Sequence, residues 1–383
     1  MGEASKSLTV DADGHVLEPR DTWKNYLEPE YRDRAIAIEV DAKGSEVLLV
    51  DGKPLEIVRH QLAALGGIEL DPAEAFDNRS LTYEDGCPPG SYDPKARLEV
   101  MDREEIDIAI LYPTLGICWE GPLQDGALAT AYTRAYNRWI ADFCRHDPKR
   151  LVPAAHISLL DAEAAVTELE RARKDGCRGI FLSPDRASRG GRHLNHPDFD
   201  RFWGAAQDLG MPLGFHVIVR DKPSFDYVDP FAEGGTDFGL FNFAFLAIDV
   251  MAAFTELISV GVLERYPRLK VAVLETGANW ISAWLDRLDH KFEVTKSRSI
   301  NQLKPSEYFY RQCLVSADPD ETLTAAVVDH IGADYFIWAS DYPHIDADFG
   351  VVRELRERLA SLPLDAQRKV LGENAVRFYD LAV

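Results

Sequence analysis

Asp11, Asp13 and His15 alternate with Val10, Ala12 and Gly14 in the stretch 8–16 near the start of the chain. In a strand, alternate side chains point to the same face, so the two carboxylates and the imidazole are expected together on one side. Such groups are costly to bury. An unpaired neutral polar group already costs of order 2–7 kcal/mol, and an unpaired charge costs more. A bound cation offsets that penalty, so the stretch reads as one wall of a metal site whose other ligands arrive from later strands.

Positioning those ligands is the work of the rest of the chain. Residues 18–95 are dense in Pro, Gly, Asp and aromatic residues and hold one hairpin-like pair, 36–40 and 45–52. A segment this long is expected to be a cap inserted after the first strand. Regular alternation then begins. Strand-like runs fall at 106–112, 151–157, 179–182, 212–217, 269–275, 312–316 and 335–341, with helical patterns at 127–143, 162–174, 198–208, 279–294 and 319–330. An aromatic, Gly-rich insertion at 220–243 follows the fifth strand. Residues 349–383 form a helical extension at the end. Eight strands separated mostly by helices predict a single α/β domain over 1–383, a (β/α)8 TIM barrel. The competing doubly wound sheet usually carries a Gly-rich phosphate turn after its first strand, and none is present.

In a barrel, catalytic side chains come from the C-terminal ends of strands. Those ends carry Asp11, Asp13 and His15, then His156, His216, Glu275, Ser316 and Asp341. Neutral imidazole with carboxylate suits Zn2+, and Mn2+ or Fe2+ in a more oxygen-rich site. His193 and His196 precede a helix and read as structural.

Composition narrows the partners. Lys and Arg number 42 against 64 Asp and Glu, a net charge of −22. That balance repels nucleic acid and anionic membrane surfaces, leaving a small molecule as the expected substrate. Five scattered cysteines without a CxxC pair fit free thiols in a reducing compartment. The first residues lack the apolar run of a secretory signal, so a cytoplasmic location is expected. The apolar run 240–263 contains Asp249 and Glu256 and reads as a buried helix with its approach loop, not a membrane span.

Several motifs together resemble the amidohydrolase-related family, in the branch of aminocarboxymuconate-semialdehyde and γ-resorcylate decarboxylases. They are Asp13-Gly14-His15, His216 closing the fifth strand, and Ser340-Asp341-Tyr342-Pro343-His344 after the eighth. Supporting them are the run 261–270 before the sixth strand and Gly372-Glu373-Asn374-Ala375 near the end. The resemblance implies one divalent metal ion, Zn2+ or Mn2+, held by Asp13, His15, His216 and Asp341. Two positions depart from the family pattern. Asp13 stands where many members carry His, which makes Mn2+ more competitive. Glu275 stands where the family often carries a His acting as acid or base, and either takes over that proton transfer or becomes a further ligand.

The resemblance implies an enzyme acting on a small cyclic or aromatic carbonyl or carboxylate substrate. In a decarboxylase, Glu275 or His156 would protonate the carbon that CO2 leaves. In a hydrolase, Asp341 would take a proton from metal-activated water. His344 is expected to contact substrate or neighbouring carboxylates. Arg220 is expected either to bind a substrate carboxylate or to form a surface salt bridge. A catalytically inert binding protein of the same fold is the alternative to both enzymes. A homodimer is suggested by family habit.

Overall fold

The computed structural model describes residues 7–56, 58, 61–219 and 238–383. Eight parallel strands form one sheet: β1 (Val10–His15), β2 (Ile108–Tyr112), β3 (Leu151–His156), β4 (Gly179–Leu182), β5 (Leu213–Phe215), β6 (Val271–Val273), β7 (Cys313–Ala317) and β8 (Phe336–Trp338). Each pairs with the next in sequence order. The ends meet just beyond the last strand. Asp341 donates its N–H to the Asp13 carbonyl at 3.2 Å, and His15 donates to the Tyr342 carbonyl at 2.7 Å. The result is the expected (β/α)8 barrel.

Two apolar layers hold it. Val10, Ala12, Ile108, Ile110, Val152, Ala154, Ala272, Leu274, Leu314 and Ile337 belong to the core that fills the barrel. Ala109, Leu111, Ile180, Leu213, Val271 and Val315 belong to the core between strands and helices. The alternation along each strand follows from the period-2 geometry of extended chain. Helices Gly126–Cys144 and Ala162–Lys174 carry Asp caps: Asp125 accepts from Ala127 and Leu128, and Asp161 from Ala164.

The segment between β1 and β2 contains a small antiparallel sheet, Ala37–Val40, Glu46–Val50 and Lys53–Pro54, which includes the predicted hairpin. Its Leu48 and Val50 join one apolar cluster with Trp23, Leu27 and Tyr132. Farther along, Ile68 donates to the Pro343 carbonyl, so this segment also reaches the loop after β8. Helix Phe238–Ser259 is one continuous element, where the sequence suggested a helix with an approach loop. Among the described residues, no helix is long and apolar enough to cross a membrane. All five cysteines are free.

Candidate metal centre at the barrel mouth

The first strand departs from simple alternation in a way that shapes the site. Asp11 pairs with Ala109 and Gly14 with Leu111, so three residues of β1 span two of β2. This bulge rotates Asp11 away from Asp13 and His15. Asp11 was expected beside them. Instead it accepts hydrogen bonds from the Ser340 backbone N–H at 2.9 Å and from the Ser340 hydroxyl at 2.6 Å, tying β1 to the chain after β8. Gly14 shares that outer side. A Cβ there would sit 2.5 Å from Asp11 Oδ2 and 2.6 Å from Arg97 Nη2, so only glycine fits. Arg97 in turn donates to the His15 carbonyl at 2.7 Å.

Asp13 and His15 point into the mouth, where other strand ends deliver their partners. His15 Nε2 lies 3.6 Å from both Asp13 Oδ1 and Asp341 Oδ1. His216 Nε2 lies 3.7 Å from Asp13 Oδ1 and 2.9 Å from Glu275 Oε2. The two Nε2 atoms are 2.9 Å apart. His15 Nδ1 faces the Pro113 carbonyl at 3.0 Å and His216 Nδ1 the Val217 carbonyl at 2.8 Å. A carbonyl only accepts, so each ring carries a proton on Nδ1 and turns Nε2 inward. Among the described residues, both Asp13 oxygens, Asp341 Oδ1 and Glu275 Oε2 are buried without a hydrogen-bond partner.

The electrostatics show the same shortage of positive charge. Burial raises the pKa of Asp13 and of Asp341 well above the usual carboxylate range, and their carboxylate neighbours add to it. Burial works against a proton on His216, yet the carboxylates of Glu275 and Asp13 outweigh it and raise its pKa to about 9. His15 moves the other way, lowered by burial and by the imidazoles of His344 and His216. A donor set of imidazole nitrogens and carboxylate oxygens, poor in hydrogen-bond partners and with both imidazoles fixed from behind by carbonyls, fits a divalent ion such as Zn2+ or Mn2+.

Glu275 and Asp341 share a further mark. Both have left-handed backbone, with φ of 50° and 53°. Non-glycine residues rarely adopt this conformation, and it concentrates at functional sites. Each sits just past the end of its strand, where the twist swings its carboxylate over the mouth. A cavity of about 310 Å³ opens there, lined by Glu275, Asp318, Ser340, Asp341 and Asp346 among others. Burial, with Glu321 and Glu275 nearby, raises Asp318 to about 8; burial and Glu275 raise Asp346 to about 6.

The remaining predicted residues take different places. His344 lies at the mouth, its ring 4.2 Å from that of His15. His156 ends β3 fully buried, with Nε2 2.5 Å from Glu120 Oε1, and Phe181 packs against both the His156 and the His216 rings. It is therefore engaged in a buried pair one ring away from the convergent group. Ser316 is buried on β7, with no partner for its hydroxyl among the described residues. Arg220, and most of the insertion at 220–243, lie outside the described residues. His193 pairs with Glu256 and His196 accepts from the Asp198 N–H, both in structural roles.

Sequence reasoning passed over Thr114, Glu18, Glu120, Asp318 and Asp346. Thr114 lies two residues past β2, within the rule that strand ends carry chemistry, and its hydroxyl is 2.9 Å from His344 Nε2. Asp346 follows His344 by two residues in the same loop. Glu18 and Glu120 carry no local signal, because their burial depends on packing between distant segments.

A family model described as amidohydrolase matches residues 55–381. The 2-amino-3-carboxymuconate-6-semialdehyde decarboxylase of Dictyostelium discoideum is 24% identical over 298 residues, covering 76% of this chain and 77% of that protein. In fold, the chain is similar to an amidohydrolase from Mycobacterium avium subsp. paratuberculosis K-10, with a TM-score of 0.81 and 21% identity over 98% of this chain and 100% of the other. It is also similar to the 5-carboxyvanillate decarboxylase of Novosphingobium aromaticivorans DSM 12444, crystallised with bound manganese (TM-score 0.69, 20% identity, 100% of this chain and 99% of that one). With a family model spanning most of its length and a barrel of the same build, this chain belongs to the amidohydrolase family.

Proposed function

We propose that the protein is a metal-dependent carboxy-lyase that removes CO2 from a small aromatic or unsaturated carboxylic acid. Asp13, His15, His216 and Asp341 would hold one divalent ion, Mn2+ or Zn2+. The observation that carries this reading is the meeting of two imidazole Nε2 atoms with the oxygens of Asp13 and Asp341, of which both Asp13 oxygens and Asp341 Oδ1 lack a hydrogen-bond partner among the described residues. The decarboxylase relative favours a carboxylate substrate, and a cavity of about 310 Å³ favours a single ring. Five free thiols support a reducing, cytoplasmic setting.

A divalent ion held there would supply positive charge that draws electron density from the substrate. Glu275 sits beside it with an oxygen free of hydrogen-bond donors and borders the cavity. It would give a proton to the carbon bearing the carboxylate, a π pair of the substrate forming the new C–H bond; the C–C bond then breaks, its electron pair restores the π system, and CO2 departs. A proton from bulk solvent would then restore the acid form of Glu275. With the ion bound, Asp341 would stay ionised as a ligand.

The test is metal analysis of the purified protein, followed by mass spectrometry on a panel of hydroxybenzoates and lactones. Bound Mn2+ or Zn2+ with loss of CO2 is the expected result. Gain of water by a lactone instead makes the protein a hydrolase. Full activity after exhaustive chelation overturns the metal centre.

A further inference from the structure

The mouth of the barrel holds three imidazoles, and the third is anchored as the first two are. His344 turns Nε2 outward to the Thr114 hydroxyl at 2.9 Å. Its Nδ1 faces inward, 2.8 Å from Asp341 Oδ1, with the pair out of line for a hydrogen bond, so that oxygen still lacks a donor. One donor atom each from His15, Asp341 and His344 lies within 4.8 Å of the others, and the same holds for Asp13, His15 and His216. The two groups share His15, so all five side chains surround one region. A histidine that binds a metal typically hydrogen-bonds its other nitrogen, as all three do here.

The three anchors differ in one chemical respect. The Pro113 and Val217 carbonyls only accept, which fixes His15 and His216 with the proton on Nδ1. The Thr114 hydroxyl both donates and accepts. His344 alone of the three is therefore free to carry its proton on either nitrogen.

We infer that His344 is a third imidazole donor to the metal ion, and that the Thr114 hydroxyl lets it change tautomer as the ion binds. Without metal, Thr114 donates to Nε2 and the Nδ1 proton faces Asp341. With metal, that proton moves by way of water to Nε2, which donates to Thr114 Oγ1, and the Nδ1 lone pair turns to the ion. No net proton is gained or lost by the ring. Thr114 is a positioning residue in this scheme, acting only through His344.

This rests on the metal centre proposed above, and one set of measurements separates the two. Chelated wild-type protein is titrated with Mn2+, with free ion followed by electron paramagnetic resonance, and with Co2+, followed by visible absorption. Absence of saturable binding by wild type would sink the metal centre and this inference together. Where wild type binds, Thr114→Val is expected to weaken binding about 10–100-fold, with Thr114→Ser recovering most of it. His344→Gln is expected to weaken it further and to alter the Co2+ spectrum. Wild-type affinity and an unchanged spectrum in His344→Gln would refute the role of His344 alone. Because that variant risks misfolding, nitrogen NMR of 15N-histidine-labelled wild type provides the second reading. A switch of one ring from an Nδ1–H to an Nε2–H tautomer on adding a diamagnetic ion, Zn2+, supports the inference; identical tautomers in both states reject it.

Discussion

Replacing Glu18 by glutamine is expected to change how stability depends on pH while leaving an acceptor in place. Glu18 is fully buried; its Oε2 accepts the Leu115 N–H at 2.9 Å, and its Oε1 meets no donor. Burial raises its pKa from 4.5 to about 7, against the opposing pull of the backbone N–H groups. Between those values the native chain holds a proton that the unfolded chain has lost. The stability contributed by that proton is therefore complete below about 4.5, declines as pH rises, and is gone above about 7. At about 1.4 kcal/mol per pH unit, the whole effect is on the order of 3 kcal/mol. An unfolding entropy of about 2.1 cal/mol/K per residue gives about 0.8 kcal/mol/K for this chain, so the shift in Tm is about 4 °C. Calorimetric scans of chelated wild type and Glu18→Gln at pH 5 and pH 8 read it directly. The variant's advantage over wild type should grow by most of that amount between the two. Parallel behaviour of the two proteins would show that Glu18 does not titrate in this window.

Other outcomes follow from the same geometry. Asp341→Asn should abolish turnover and lower the bound metal measured by elemental analysis. Glu275→Gly should also lose turnover, yet melt no lower than wild type, because glycine adopts a φ of 50° freely and relief of the strain is worth on the order of 1 kcal/mol. Gly14→Ala should lower stability by about 1–3 kcal/mol in denaturant titration, since the new Cβ strikes Asp11 and Arg97. Adding Mn2+ to chelated protein at pH 7 should release protons, read with an indicator dye in weak buffer. The raised pKa values of Asp13, Asp341 and His216 mean that protons hold the place of the ion, so apparent affinity should climb with pH.

Strand periodicity made the barrel legible, because the strands alternate between two apolar layers and most are followed by a helix with an apolar stripe. It also located Asp13, His15, His216, Glu275 and Asp341, all of which stand at strand ends. What it missed was set by geometry that no local pattern records. The bulge in β1 inserts one residue between Asp11 and Gly14, and so sends Asp11 to the outside against an alternation that looked unbroken in sequence. His156 has the residue type and strand position of a site residue, but Glu120, from the loop after β2, closes over it. That loop was invisible as a functional element. Even so, its Pro113 and Thr114 hold two of the three imidazoles, and Glu18 pins it through Leu115.

Charge balance explains why the mouth calls for a multivalent ion and not simply protons. Two carboxylates about 4 Å apart repel by roughly 4 kcal/mol at an effective dielectric constant of 20. The mouth gathers Asp13, Glu275, Asp318, Asp341 and Asp346, and among the described residues no Lys or Arg lines its cavity. Arg97 is close by, yet it lies on the outer side of β1, against Asp11 and the His15 carbonyl. A proton on one carboxylate relieves that group alone. Protonating both facing imidazoles would place two cations across a 2.9 Å gap. A divalent ion would meet the lone pairs of both rings and two carboxylates at once, so the number of converging donors, more than any single pKa, argues for the proposed centre. The left-handed backbone of Glu275 and Asp341 fits the same logic: strain concentrates where function needs a side chain held in place, and here it turns both carboxylates toward the mouth.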